Sequence, residues 1–212
     1  MSDKILTKEA LDGFLQRLRQ EYDLRAPVLK DTEFAWSEVD QNSDVAWEFA
    51  NTSQSPKRIF LPQTERLMRF STDPNDPEAM IMHEESGSAR AKALLNIRPC
   101  DAKALSVLDL VFCQDEQAPD VYWKAKRDST LLIGLACKNP CPTCFCTSVN
   151  CGPHHEEGLD ILLVDLEDKV LARPLTEKGQ GLLADFDQAT EADVQKAREQ
   201  KQAAEEAITS RV

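Results

Sequence analysis

The chain has 212 residues, 42% of them hydrophobic and 29% charged, which is typical of a soluble globular protein with a substantial core. Its net charge of −12 at pH 7 disfavours nucleic acids and anionic membrane surfaces as partners, because both are negatively charged. No segment approaches the ~20 apolar residues of a membrane span, and the charged N-terminus lacks the apolar core of a signal peptide. We therefore expect a cytoplasmic protein that binds neither nucleic acid nor membrane.

The N-terminal third predicts one clear helix and several short elements. An apolar stripe with Thr7 as its N-cap predicts a helix over residues 7–20. Residues 27–50 predict short strands or loops. Short strands are also predicted at 58–62 and 65–70, followed by a turn rich in proline.

From residue 90 onward, apolar strands alternate with amphipathic helices. Buried strands are predicted at 91–97, 130–136 and 159–166, an edge strand at 169–175, and helices at 101–112, 120–128, 176–186 and 190–208. The order strand, helix, strand predicts a βαβ unit with parallel pairing. The expected fold class is thus α/β or α+β, with a mixed sheet and a helical C-terminus.

Cysteines provide the strongest chemical signal in the chain. Five of the seven fall within one segment, at Cys137, Cys141, Cys144, Cys146 and Cys151. An odd number of clustered cysteines in a cytosolic protein argues for metal binding rather than for a disulfide framework. The other two are Cys100 and Cys113, and we interpret Cys113, at a helix end, as a packed thiol.

The predicted strands bring Cys100 close to the cysteine-rich loop. Cys100 follows the strand 91–97, and Cys137 follows the strand 130–136. If these strands are parallel neighbours, both cysteines emerge at the carboxyl edge of the sheet, where open α/β sheets build their sites. Cys100 would also lie at the N-terminus of the helix 101–112, whose dipole favours a thiolate.

Three interpretations of these cysteines are open from the residues alone. Four thiolates suit a 4Fe-4S cluster, and Cys100 with three loop cysteines would supply them. Zinc is the alternative, because Cys141 and Cys144 have zinc spacing, although no second such pair is visible. The third interpretation is reduced thiols without a metal. The neighbouring His154 and His155 are expected to be exposed loop residues.

Three segments together resemble a known family. They are PKRIFLPQTERLMRF, NIRPCDAKALSVLDLVF and DSTLLIGLACKNPCPTCFCTS. They resemble the iron-sulfur electron-transfer subunits that include the beta subunits of soluble sulfur-reducing hydrogenases and the A subunit of anaerobic sulfite reductase. Similar modules accompany heterodisulfide-reductase-type complexes. The resemblance runs from about residue 55 to about 200 and is most specific at the segments R-P-C-D and T-C-F-C.

The resemblance implies a non-catalytic electron-transfer component of an oxidoreductase complex. It places a 4Fe-4S cluster on Cys100, Cys137, Cys144 and Cys146, with Cys141, Cys151 and Asp101 as less favoured ligands. Expected partners are other subunits of the redox complex, including a ferredoxin-like protein.

The resemblance also implies a division of the chain. Residues 1–188 would form the cluster-binding α/β domain, and 189–212 a polar helix. Family members carry a ferredoxin-like domain after this region, and its cysteine runs are absent from the sequence given. The final helix is therefore expected to be a connector to such a domain. A zinc-stabilised protein-binding module is the alternative function.

Overall fold

The computed structural model describes residues 2–41, 43–84, 90–115 and 117–208. The strands in these residues are β1 Lys4–Leu6, β2 Asp23–Lys30, β3 Glu33–Glu38, β4 Met68–Arg69, β5 His83–Glu84, β6 Lys92–Ile97, β7 Thr130–Leu135, β8 Ile161–Asp165, β9 Val170–Pro174 and β10 Asp187–Gln188. The α-helices are α1 Lys8–Glu21, α2 Lys57–Phe60, α3 Pro99–Phe112, α4 Val121–Asp128, α5 Glu177–Leu182 and α6 Glu191–Glu206.

Eight of these strands form one mixed sheet in the order β10-β1-β9-β8-β7-β6-β2-β3. The central pairs β2/β6, β6/β7 and β7/β8 are parallel, and the flanking pairs are antiparallel. The predicted α/β fold with a mixed sheet and a helical C-terminus is confirmed. Strands β4 and β5 form a separate two-stranded ribbon.

Side chains that alternate along the central strands form two core clusters, one on each face of the sheet. Leu95, Ile133 and Leu163 belong to the first, and their neighbours Leu94, Leu132 and Leu162 belong to the second. This alternation is the period of two that strand geometry imposes. Helix α1 covers the first face, while α3, α4 and α6 contribute to the second. The sheet is therefore buried on both faces, as its continuous apolar strands predict.

Side-chain caps fix the beginnings of several helices. Thr7 accepts a hydrogen bond from the backbone N–H of Ala10, which confirms it as the N-cap of α1. Thr190 and Asp193 form a reciprocal capping box at α6. Helix α6 packs on the second core cluster through Ala197 and Val194. The division of the chain at residue 188 stays a prediction.

Two predicted strands are wrong in kind or position. Residues 58–62 belong to helix α2 and its end, because Pro56 has helical backbone angles and Ser55 and Pro56 accept the first amide hydrogen bonds. Strand β9 is not at the edge, since β1 pairs with it on the side away from β8. The predicted strand at 65–70 is reduced to β4, and the helix at 176–186 to α5.

Candidate metal centre

The carboxyl ends of β6 and β7 open onto one cavity of about 520 Å³. The two strands are parallel neighbours, as predicted, so Cys100 and Cys137 leave the sheet at the same edge. Six of the seven cysteines line this cavity: Cys100, Cys137, Cys141, Cys144, Cys146 and Cys151. The predicted placement of the cysteine-rich loop at this edge is confirmed.

The cysteine-rich loop is fixed by its own backbone hydrogen bonds. The N–H of Cys137 donates to the carbonyl of Pro153 at 2.9 Å, which joins the two ends of the loop. Cys146 begins a short 3₁₀ helix that ends at Val149, and the N–H of Cys151 donates back to the carbonyl of Cys146. The loop is thus folded locally, and its five cysteines are free thiols.

Cys100 stands at the N-terminus of α3. Pro99 occupies the first helical position, where its missing N–H costs nothing, and Arg98 provides no side-chain cap. Cys100 is accessible through the cavity, yet partial burial of its thiol raises the pKa of that thiol to about 12. The nearby Asp101 carboxylate adds to this increase.

Cys141 and Cys144 form the closest thiol pair among the described residues, with 3.2 Å between their Sγ atoms. Two sulfurs bound to one tetrahedral zinc at ~2.3 Å would be about 3.8 Å apart, so a small movement separates this pair from a zinc-binding arrangement. Burial and the hydrogen bond with Cys141 raise the pKa of Cys144 to about 11. Hydrogen bonds from Thr143 and Cys144 lower the pKa of Cys141.

Burial also raises the pKa of the thiols of Cys137, Cys146 and Cys151. Without a metal these groups are protonated at neutral pH, so binding of a metal would release protons. Within the described ranges, no group of three or more His, Cys, Asp or Glu side chains is arranged to hold one metal ion.

Positively charged side chains line the cavity of this acidic protein: Lys57, Arg98 and Lys103. Lys103 forms an ion pair with Glu157, while Arg98 is only 6% exposed. Opposite charge near a thiolate favours its ionised form. No motif in the sequence indicated a role for these three residues. The one available signal was the position of Arg98 between a buried strand and Cys100.

The remaining candidates lie outside the cavity lining. Asp101 follows Cys100 on α3, and burial raises the pKa of its carboxyl group. Cys113 packs against the second core cluster at the end of α3, as its interpretation as a packed thiol requires. The expectation for His154 is wrong, because its side chain is only 6% exposed. Asn51, by contrast, lines the cavity and places its Nδ2 3.8 Å from the Sγ of Cys141, although the sequence did not indicate it.

The fold and the site together define an α/β protein with a cavity lined by cysteines. The chain is 25% identical over 198 residues to Sulfhydrogenase 2 subunit beta from Pyrococcus furiosus. The similarity covers 92% of this chain and 56% of that subunit, so the chain spans little more than half the length of this relative. No family model matches the chain, and no solved structure matches it.

Proposed function

We propose that the chain is an iron-sulfur electron-transfer subunit or module of a multi-subunit oxidoreductase of the hydrogenase type. The observation that carries this proposal is the convergence of six cysteines on one cavity at the carboxyl edge of the sheet. Thiolates are the usual protein ligands of iron-sulfur clusters. The similarity to a sulfhydrogenase beta subunit supports a role in electron transfer and partners within a redox complex.

Cys100, Cys137, Cys144 and Cys146 would hold a 4Fe-4S cluster, which would accept and donate one electron at a time. A cubane distributes its four thiolates over four irons, so its ligands surround a volume instead of meeting at one atom. Cysteines spread around a cavity of about 520 Å³ suit that geometry. Cys141 and Cys151 line the same cavity and are the nearest substitutes, ahead of Asp101.

The other residues of the cavity would control water and charge. Val107, Leu108, Val149 and Ile208 provide apolar walls. Solvent exposure and hydrogen bonds to the sulfurs are among the factors that set the reduction potential of a cluster. Phe145 lies between two proposed ligands and is 50% exposed, so its ring would shield only part of the opening.

The proposal extends to the partners and the compartment. A hydrogenase is our first choice because the relative described above is a sulfhydrogenase subunit. Anaerobic sulfite reductase and heterodisulfide-reductase-type complexes are the alternatives. A ferredoxin-like protein or domain would be the next electron carrier, in the cytoplasm. In the part of the chain that the structure describes, no helix has the length and apolar character to cross a membrane.

The first test is anaerobic purification followed by analysis of iron, acid-labile sulfide and zinc. About four irons and four sulfides per chain, the content of one cubane, are expected. One zinc without sulfide would instead support the zinc-stabilised binding module, which the close pair of Cys141 and Cys144 favours. Free thiols without any metal would contradict both functions.

Cys100→Ser tests the proposed ligand set. We expect this variant to lose the cluster or convert it to a form with fewer irons, because serine lacks the soft thiolate. Iron content and the visible absorption spectrum provide the measurement. Cys113→Ser is the matched control, since Cys113 packs against the core and lies outside the cavity lining, and it should keep the cluster. An intact cluster in Cys100→Ser would refute the ligand set.

A further inference from the structure

Arg98 is a buried cation beside the carboxyl ends of β6 and β7, the two strands that lead to the proposed ligands Cys100 and Cys137. It lies between β6 and Cys100, and its side chain is 6% exposed. Its Nη1 donates to the carbonyls of Leu135 and Ala136 at 3.4 and 3.2 Å, directly before Cys137. The Arg98 side chain therefore links the chain just before Cys100 to the chain just before Cys137.

The rest of the guanidinium is held by Phe49. The Nη2 of Arg98 donates a hydrogen bond to the carbonyl of Phe49. The Cζ of Arg98 is 3.9 Å from the centre of the Phe49 ring. The Nε of Arg98 is buried and has no hydrogen-bond partner within the described part of the chain. These contacts fix the position of the charge but do not neutralise it, because all three acceptors are neutral carbonyl oxygens.

Among the described residues, no carboxylate forms an ion pair with Arg98. A buried charge without a countercharge is costly. Arg98 lines the same cavity as the thiols of Cys100, Cys137 and Cys144. The groups facing Arg98 are thus largely proposed cluster ligands, and their thiolates would provide the missing negative charge.

We propose that Arg98 is the countercharge of the cluster and the positioning residue for its ligands. Its hydrogen bonds hold the ends of β6 and β7 together, which fixes Cys100 relative to Cys137. Its positive charge raises the reduction potential, because the reduced cluster carries one more negative charge than the oxidised cluster and is stabilised more by a nearby cation. The proposal rests on the proposed function, since it requires a cluster in this cavity.

The test compares three substitutions of Arg98 in the protein purified with its cluster. Arg98→Met removes the charge and every polar contact, Arg98→Gln removes the charge but keeps an N–H donor, and Arg98→Lys keeps the charge. Each protein is titrated anaerobically with dithionite, and the potential is read from the visible and electron paramagnetic resonance spectra. We expect Arg98→Met and Arg98→Gln to lower the equilibrium constant for reduction of the cluster by about tenfold or more. This change corresponds to a fall in reduction potential of ~59 mV for a one-electron couple. Arg98→Lys should stay closer to the native protein.

Arg127→Met is the matched control. Arg127 also lies over a phenylalanine ring, with its Cζ 5.6 Å from the centre of Phe60, but it forms an ion pair with Asp109 and does not line the cavity. Its loss should reduce stability and leave the potential unchanged. An equal shift in Arg127→Met would show that the effect is a general consequence of destabilisation, and would overturn the role of Arg98.

The remaining outcomes also decide the proposal. A native potential in Arg98→Gln or Arg98→Met would refute it. The proposal would be supported if both neutral variants lost the cluster while Arg98→Lys kept it at the native potential. The positive charge is what distinguishes Arg98→Lys from the neutral variants. Loss of the cluster from all three variants with unchanged far-ultraviolet circular dichroism would contradict the charge role. Absence of iron and sulfide from the native protein would instead reject the proposed function itself.

Discussion

His154 is a buried imidazole close to the cysteine-rich loop. Its side chain is 6% exposed, and its Nε2 has no hydrogen-bond partner among the residues that the structure describes. Burial lowers its pKa to about 4, with smaller contributions from the positive charges of Lys201 and Arg173. The sequence places this residue after Gly152 and Pro153, which are typical of a loop. Nothing in that local pattern shows that the tertiary structure buries this histidine.

The low pKa of His154 predicts a loss of stability in mild acid. A histidine in the unfolded chain titrates near 6.5, so as the pH falls from 6.5 towards 4 the unfolded state takes up a proton before the folded state does. The resulting loss in the free energy of unfolding is negligible well above pH 6.5 and amounts to about 2 kcal/mol at pH 5. Urea unfolding at pH 7 and pH 5 should show that His154→Gln loses less stability on acidification than the native protein. An equal loss in both proteins would contradict the assignment.

At the scale of a single element, strand β6 carries a bulge just before the site. Its register with β7 shifts between Leu95 and Ile97, and the residue between them, Asn96, has a left-handed backbone with φ of 60°. The Asn96 side chain is fully buried and donates from Nδ2 to the carbonyl of Ala46 at 2.9 Å. Bulges of this kind redirect a strand. Here the redirected residues are Arg98 and Cys100.

This geometry predicts an unusual order of stability at position 96. Both Asn96→Gly and Asn96→Ala lose the bond to Ala46, at a cost of about 1–3 kcal/mol. Alanine adds the strain of a left-handed backbone, so we expect Asn96→Ala to be less stable than Asn96→Gly by about 1 kcal/mol. At Ala93 in the same strand, Ala93→Gly should instead be destabilising. Urea unfolding of the native protein and the three variants measures these differences in stability. A more stable Asn96→Ala than Asn96→Gly would contradict the left-handed backbone at the bulge.

The elements also show which features a sequence can predict. Helices α1 and α3 were predicted correctly because their apolar residues recur with the period of a helix, and β6 and β7 because each is a short run of mainly apolar residues. A four-residue helix such as α2 has too few residues for a period to be visible, and its apolar letters also fit a strand. The position of β9 depended on β1, a three-residue strand more than 160 residues away in the chain. Only tertiary pairing places such a short segment beside its partner.

At the scale of the whole molecule, the core and the candidate site are separate structures. The buried residues of the two core clusters include none of the six cysteines that line the cavity. The sequence could place these cysteines at one edge, because Cys100 and Cys137 each follow a strand directly. It could not choose among the loop cysteines, since their spacing along the chain does not determine which sulfurs face the same volume. Nor could it identify Lys57 or Asn51 as neighbours of the site.

This separation predicts that removal of the proposed cluster leaves the sheet folded. After oxidation and chelation of a bound cluster, far-ultraviolet circular dichroism should change little, because the apolar contacts of both clusters remain. Hydrogen exchange should increase in residues 137–151 and stay slow in β6, β7 and β8. General loss of protection would mean that the metal provides the folding energy, as it does in zinc fingers.

The hydrogen bond between the N–H of Cys137 and the carbonyl of Pro153 has a consequence for the history of this protein. It closes the cysteine segment upon itself, so insertions and replacements within the segment need not disturb the registers of β7 and β8. A lineage built on this scaffold could therefore exchange one inorganic group for another by rewriting about fifteen contiguous codons. The fold would persist through such an exchange, and descendants with different metal contents would still share the same strand order.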